Sequence, residues 1–297
     1  MLGRARQSRA LTALFGGSAL AAELKRPPPP PPAPPAPPPV FNWSGCYIGG
    51  YVGVAFAQRD AIFTDLGNSA FASYSGGVAG PRGNHSWNVG LDNSAIGGGT
   101  LGCNWQPYGS PFVFGIEGEG GYMKLDGSAF DPLINSNVPV IAVRASPDVL
   151  GSAKVGDWYG MITGRLGYTW YGWAALLVYL KGGAAFVPVQ ASVLDQCAVT
   201  AAGCGNWLIS TSDSKTITTG TLGGGFEVAL DRFWSVKGEY MFIGLGDRHL
   251  GTTCGLATLD SGATVRGGPF CFDHDFSGIH TFKVGVNYRF GGSAYGY

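Results

Sequence analysis

From Phe41 onward, apolar positions alternate with polar or small ones over segments of about ten residues, the period-2 signature of strands whose two faces meet different surroundings. Eight segments carry it: Cys46–Phe56, Ala95–Trp105, Phe112–Tyr122, Trp158–Trp170, Ala174–Val187, Thr216–Leu230, Trp234–Ile243 and His280–Phe290. Each supplies the ~9–11 residues that an oblique strand needs to cross a bilayer. The connections Gln106–Pro111, Tyr171–Trp173 and Asp231–Phe233 are tight, whereas 57–94, 123–157, 188–215 and 244–279 are long. An even strand number, with short turns on one side and long loops on the other, predicts an all-β fold: an eight-stranded antiparallel transmembrane β-barrel, both chain ends periplasmic.

One parity class contains Ile48, Val52, Phe114, Ile116, Val178, Leu180, Leu222, Phe226, Val284 and Val286, and across the strands it holds no Asp, Glu, Lys or Arg. The other class holds Glu117, Glu119, Arg165, Lys181, Glu227, Lys237, Glu239, Lys283 and Arg289 among Gly, Thr and Tyr. An eight-stranded barrel is only wide enough for its interior to be filled by side chains. Buried charges must be paired, so the nine are expected to form an ion-pair network that fills the lumen, with inward glycines making room for it. A soluble lipocalin-like barrel alternates too. What favours lipid is a rim of aromatics, Trp43, Trp105, Trp170, Trp173, Trp234 and Phe290, near the expected periplasmic strand ends, as in a headgroup-level girdle.

Composition narrows the classes. Glycine makes up 50 of 297 residues against a usual ~7%, which argues against a helical protein. Charged residues are only 13%, hydrophobic ones 45% and aromatic ones 13%, so the chain is not disordered throughout. Basic and acidic residues balance at 19 each, which removes the electrostatic footprint of a nucleic-acid binder; no nucleic-acid partner is expected. No run approaches the ~18 apolar residues of a transmembrane helix.

Arg4, Arg6 and Arg9 precede an apolar run from Ala10 that ends in Ala19, Ala21 and Ala22, the order of a secretory signal peptide over residues 1–22. Its removal leaves a formal charge of minus three. Pro27 to Pro39 then holds eleven prolines in thirteen residues, a polyproline II spacer of roughly 40 Å at ~3.1 Å per residue. Residues 23–40 are therefore a proline-rich periplasmic linker without a fold of its own, 41–291 the barrel and 292–297 a C-terminal tail.

The stretch Asn42-Trp43-Ser44-Gly45-Cys46-Tyr47-Ile48-Gly49-Gly50 resembles the opening strand of the alphaproteobacterial outer-membrane β-barrel family, the small opacity-protein-like porins. So do Thr163-Gly164-Arg165-Leu166-Gly167-Tyr168, Gly223-Gly224-Gly225-Phe226-Glu227, Trp234-Ser235-Val236-Lys237-Gly238-Glu239-Tyr240 and Lys283-Val284-Gly285-Val286-Asn287-Tyr288-Arg289-Phe290. The closing strand is similar to the assembly signal read by the barrel-assembly machinery, Gly285 followed by Tyr288 and Phe290. Departures are the residues after Phe290, the long proline tract, and Cys46 where the family usually carries an aromatic. The resemblance implies a surface protein of the Gram-negative outer membrane that contacts lipid and lipopolysaccharide. Some relatives are attached to peptidoglycan through the mature N-terminus, here Ala22-Glu23 where they usually have Ala-Asp, and others bind hemin.

Six cysteines in an exported chain favour disulfides. Cys197 and Cys204 share the third long loop, Cys254 and Cys271 the fourth, and Cys46 and Cys103 lie with the same parity near the ends of adjacent strands. The expected bonds are 46–103, 197–204 and 254–271. His249, His274 and His280 with Asp273 and Asp275 could suggest a metal site, and His85-Ser86 a lipid-deacylating dyad. The histidines read more simply as loop residues, and no orienting acid can be placed by the dyad. Glu117 and Glu119 share the lumen with five bases, which makes pairing a better reading than acid/base catalysis. The sequence thus predicts no enzyme, no metal and no cofactor. Its role is expected to be envelope structure and surface contact; the alternatives are a narrow porin for small solutes and a surface receptor for a heme-type ligand or an adhesin.

Overall fold

The computed structural model describes residues 40–66, 85–132, 147–170, 173–197, 207–245, 248–256, 258–259, 270–290 and 295–296. The signal peptide, the proline tract, Cys204 and the side chains of His85, Trp173, Cys197 and His249 lie outside the described residues. The strands are β1 (Val40–Phe41), β2 (Gly45–Ala57), β3 (Ala61–Asp65), β4 (His85–Val89), β5 (Ser94–Trp105), β6 (Phe112–Tyr122), β7 (Lys124–Phe130), β8 (Pro147–Gly156), β9 (Tyr159–Trp170), β10 (Trp173–Cys197), β11 (Trp207–Ala229), β12 (Trp234–Ile243), β13 (Arg248–Gly255), β14 (Thr258–Leu259), β15 (Phe270–Phe276), β16 (Ile279–Phe290) and β17 (Tyr295–Gly296).

Eight of them close a ring. In order around it, β2, β5, β6, β9, β10, β11, β12 and β16 pair antiparallel with their neighbours, and β16 returns to β2. Closure leaves no sheet edge within the ring, the condition for crossing hydrocarbon with strands. The outward face carries Val52, Leu101, Ile116, Leu180, Leu222 and Val284, all well exposed, whereas the inward charges are buried. That is the inverse of a water-soluble barrel. Outward Trp105, Trp170, Trp234 and Phe290 stand at the short-turn end, and outward Tyr122, Trp158 and Phe282 near the other. Ten residues separate Phe112 from Tyr122 along β6; at ~3.3 Å per residue and ~40° tilt this spans roughly 25 Å, the height of an outer-membrane apolar band.

The long connections differ from the expectation of plain loops. β6 resumes after Met123 as β7, and β8 runs on into β9. β10 pairs with β9 over Leu177–Phe186 and with β8 over Val189–Cys197, so one wall of the barrel continues as sheet past the apolar band. β3, β4, β13 and β15 form a second sheet in the order β13-β15-β3-β4. Alternation drives it, since Phe63, Trp87, Phe270, Phe272 and Phe276 point to one side and join Tyr51, Met161 and Met241 of the barrel interior in a single apolar core. Cys46 and Cys103 are directly opposed on β2 and β5 and are bonded, as are Cys254 and Cys271 on β13 and β15.

Two local devices shape the wall. At the β8–β9 junction Gly156 and Asp157 both have positive φ, 111° and 82°, and a Cβ on Gly156 would lie 1.9 Å from the Met123 carbonyl oxygen. Only glycine fits. In the 230–233 turn, Asp231 Oδ1 accepts the amides of Phe233 at 2.6 Å and Trp234 at 2.8 Å. These bonds hold the Asp231 carboxyl below its ordinary range.

Gly156→Ala is expected to lower stability by about 1–3 kcal/mol through backbone strain, read as a lower denaturant midpoint by tryptophan fluorescence of the refolded barrel. The depressed Asp231 pKa means its charge stabilises the turn above the unfolded carboxylate's pKa, and that contribution disappears as pH falls through the folded value. Comparing acid unfolding profiles of wild type and Asp231→Asn checks this: the variant should lose part of the wild type's stability near neutrality and converge with it in acid.

Candidate functional site

All eight barrel strands turn side chains of inward parity into the lumen, and six of them supply its charged residues. Lys181 on β10 reaches three carboxylates: its Nζ lies 2.6 Å from Glu117 Oε1, 2.9 Å from Glu239 Oε2 and 3.6 Å from Glu119 Oε2. Lys283 on β16 lies 2.6 Å from Glu119 Oε1 and 2.8 Å from Glu239 Oε1. Lys237 adds a longer contact of 3.4 Å to Glu117 Oε2. Nearer the short-turn end, Arg165 donates to Glu227 Oε2 at 2.5 Å and lays its guanidinium 3.5 Å from the ring centroid of Tyr179. Four carboxylates thus meet four cations, and all eight side chains are buried. Burying such ions is tolerable only because each has an opposite partner and further hydrogen bonds.

Those further bonds come from residues to which the sequence reading gave no role. Tyr47 donates to Glu117 Oε2 at 2.5 Å and Tyr179 to Glu239 Oε2 at 3.1 Å, while the Tyr159 hydroxyl sits 2.9 Å from Glu119 Oε1 and 2.7 Å from that of Tyr51. Ser235 and Asn287 donate to Glu227 Oε1 at 2.5 and 2.9 Å. Several inward glycines make room for these phenols, while Gly285 lies beneath the Lys237 side chain. A Cβ on Gly98 would meet the Tyr51 hydroxyl at 2.3 Å, and one on Gly102 the Tyr47 hydroxyl at 2.5 Å. The signal was present as inward Tyr facing inward Gly across paired strands.

Two predicted residues take other roles. Trp43 is not in the outer girdle: it is fully buried, because it precedes β2 in the segment that Gly45, at φ 132°, turns beneath the ring. There it packs with Val113, Leu177 and Tyr179, its ring edge against Phe41. Arg289 stands apart from the carboxylates in the same plug, donating to the Asn42 carbonyl at 2.8 Å and lying over Phe41 and Trp43. Trp105, Trp170, Trp234 and Phe290 do face outward, as do Tyr288 and Phe290 of the assembly-signal candidates, whereas Gly285 faces inward beneath Lys237. β1 pairs with β17, so part of the expected tail returns to the start of the barrel.

Among the described residues, the remaining candidates do not converge on chemistry. His280 points outward, stacked 5.3 Å from Phe56 and hydrogen-bonded to Tyr240 at 2.8 Å. His274 is buried against Phe63 and Thr253. Ser86 shares a hydrogen bond with Thr64 at 2.7 Å. Glu117, Glu119 and Glu239 bring oxygens within 4.8 Å of one another, but the ammonium of Lys181 already lies among all three, in the place a cation would take.

A family model described as Outer membrane protein beta-barrel domain matches residues 41–290. The chain belongs to this family. Among curated relatives, the 31 kDa outer-membrane immunogenic proteins of Brucella melitensis and Brucella suis are each 28% identical over 285 residues, covering 94% of this chain and 97% of theirs. Among solved structures, the outer membrane protein OprG from Pseudomonas aeruginosa is 12% identical, with a TM-score of 0.47, over 85% of this chain and 99% of that one. Membership in the outer membrane protein β-barrel family assigns the apolar band to the outer membrane of a Gram-negative cell.

Lys181→Met leaves three buried carboxylates with only Lys237 and Lys283 between them and is expected to cost about 3–5 kcal/mol, the range for removing one partner of a buried pair. The double variant Lys181→Met with Glu117→Gln should cost less than the two single effects added together. Guanidinium midpoints of the four refolded proteins complete the cycle.

Proposed function

We propose that this protein is a non-conducting surface barrel that contributes to envelope structure and surface contact. The observation that carries the reading is the layered filling of the lumen: the Trp43 plug, the balanced charge layer of four acids and four bases, and the apolar core around Met161, Met241 and Phe276. A solute path would have to break all three. A conducting lumen keeps charged residues solvated, whereas here they neutralise one another.

In this reading the long-connection end faces the outside and both termini face the periplasm. The description "immunogenic" of the Brucella relatives supports surface exposure of the corresponding sheet. Ala22-Glu23 is then the attachment point to peptidoglycan, and Gly285, Tyr288 and Phe290 meet the barrel-assembly machinery. Outer-membrane lipid and lipopolysaccharide surround the apolar band.

Planar-bilayer recording of the refolded mature protein tests the reading. No discrete conductance steps are expected. Steps whose size changes in Glu119→Gln or Lys181→Met would replace it with a narrow porin.

A further inference from the structure

Beyond the apolar band, the wall formed by β7, β8, β10 and β11 carries a cleft of about 870 Å³. Its floor follows from register. Ser128 pairs with Ser152, Ser152 with Ser192 and Ser192 with Ser212, so four hydroxyl side chains stand in one row across four strands. One step closer to the band, Asp126, Lys154, Gln190 and Ser214 form a second row by the same pairings. Both rows share the outward parity of Leu180 and Leu222. Short hydroxyls replace the long charged side chains of an ordinary solvated sheet face, and this leaves the surface hollow. Phe130, two residues beyond Ser128 and exposed, offers an aromatic face at the distal edge.

The chemistry of the cleft selects against several ligands. Two acids, Asp92 and Asp126, line it with one base, Lys154; Lys154 is held 2.5 Å from Asp157 and Asp126 lies 3.4 Å from Lys124, so acids still outnumber bases by one, while Asp213, of inward parity, turns its carboxylate toward Gly251 on β13. Phosphate or sulfate would meet net negative charge. An apolar ligand would leave the hydroxyls without partners. A hydroxyl row repeating at the ~4.8 Å strand spacing, beside a row with a carboxylate and an amide that form hydrogen bonds and a flanking aromatic, suits uncharged sugar rings. Position names the source. On β10, Gln190 and Ser192 lie four and six residues past outward Phe186, roughly 10–15 Å beyond the band after strand tilt. That is the level of sugars carried on lipid headgroups.

We propose that this cleft binds the uncharged sugar units of a glycolipid standing in the outer leaflet beside the barrel. The source rests on the outward orientation proposed above; the sugar chemistry does not.

The mature protein refolded in detergent micelles would be titrated calorimetrically with oligosaccharide released by mild acid from rough-type lipopolysaccharide, and separately with inorganic phosphate. Saturable binding of the oligosaccharide and none of phosphate is expected. Ser152→Val combined with Ser192→Val should weaken binding tenfold or more while the heat-modifiable migration of the folded barrel is retained. Should that variant fail to fold, Gln190→Ala is read instead, with a several-fold loss. No oligosaccharide binding by folded wild type, unchanged affinity in the variants, or competition by phosphate would overturn the proposal. In nanodiscs containing intact rough lipopolysaccharide, the free oligosaccharide should bind at least tenfold more weakly because the cleft is occupied; equal binding there overturns the glycolipid source. Maleimide labelling on intact cells of Asn88→Cys, exposed on β4 at the same end and outside the cleft, is expected. Its absence would overturn both the orientation and the glycolipid source, whereas labelling with no sugar binding would overturn the cleft alone.

Discussion

The ammonium of Lys181, set among Glu117, Glu119 and Glu239, is the contact on which the barrel interior depends. Three carboxylates this close repel one another strongly in a medium of low dielectric, and without a central cation they could not all remain ionised. Lys283 and Lys237 then complete neutrality, and the tyrosines occupy the lone pairs that the lysines leave. The requirement reaches back to the strands. Phenols can approach the carboxylates only because the facing positions, Gly98 and Gly102, have no side chain. Glycine content and buried charge, which look unrelated in the composition, are two sides of one packing solution.

The ring itself was legible because lipid on one side and a filled lumen on the other impose strict alternation, and each strand displays it over enough residues to be read. Glu117 and Lys181 could be assigned to the lumen from parity alone. Which acid meets which base could not, since that depends on strand stagger around the ring and on rotamers, neither of which has a period. Trp43 was misplaced for a related reason: it lies before β2, the first barrel strand, where parity has no meaning and the backbone turn at Gly45 decides its direction. Arg289 carries the right parity but sits at the end of the last strand, where backbone carbonyls of the entering chain are its available partners.

The long connections were the larger departure. Segments such as Phe270-Cys271-Phe272-Asp273-His274-Asp275-Phe276 alternate as cleanly as the barrel strands, but they are shorter than a membrane crossing, and length was the criterion that set strands apart from loops. Above the membrane, the rule that governs them is burial against a neighbouring sheet. The polar wall shows the converse. β10 and β11 run from the barrel into it without a break in their mutual pairing while their outward residues change from leucine to serine, so this hairpin changes solvent without changing structure.

That continuity has a mechanical meaning. β10 and β11 stay in register through twenty-two paired positions from Leu176–Val228 to Cys197–Trp207. A tug on the distal end of this hairpin runs along the strand axes, so the hydrogen bonds that tie it to β9 and β12 are sheared together rather than peeled one at a time. The envelope would register such a pull as tension on the barrel staves themselves, with no slack segment in between to absorb it.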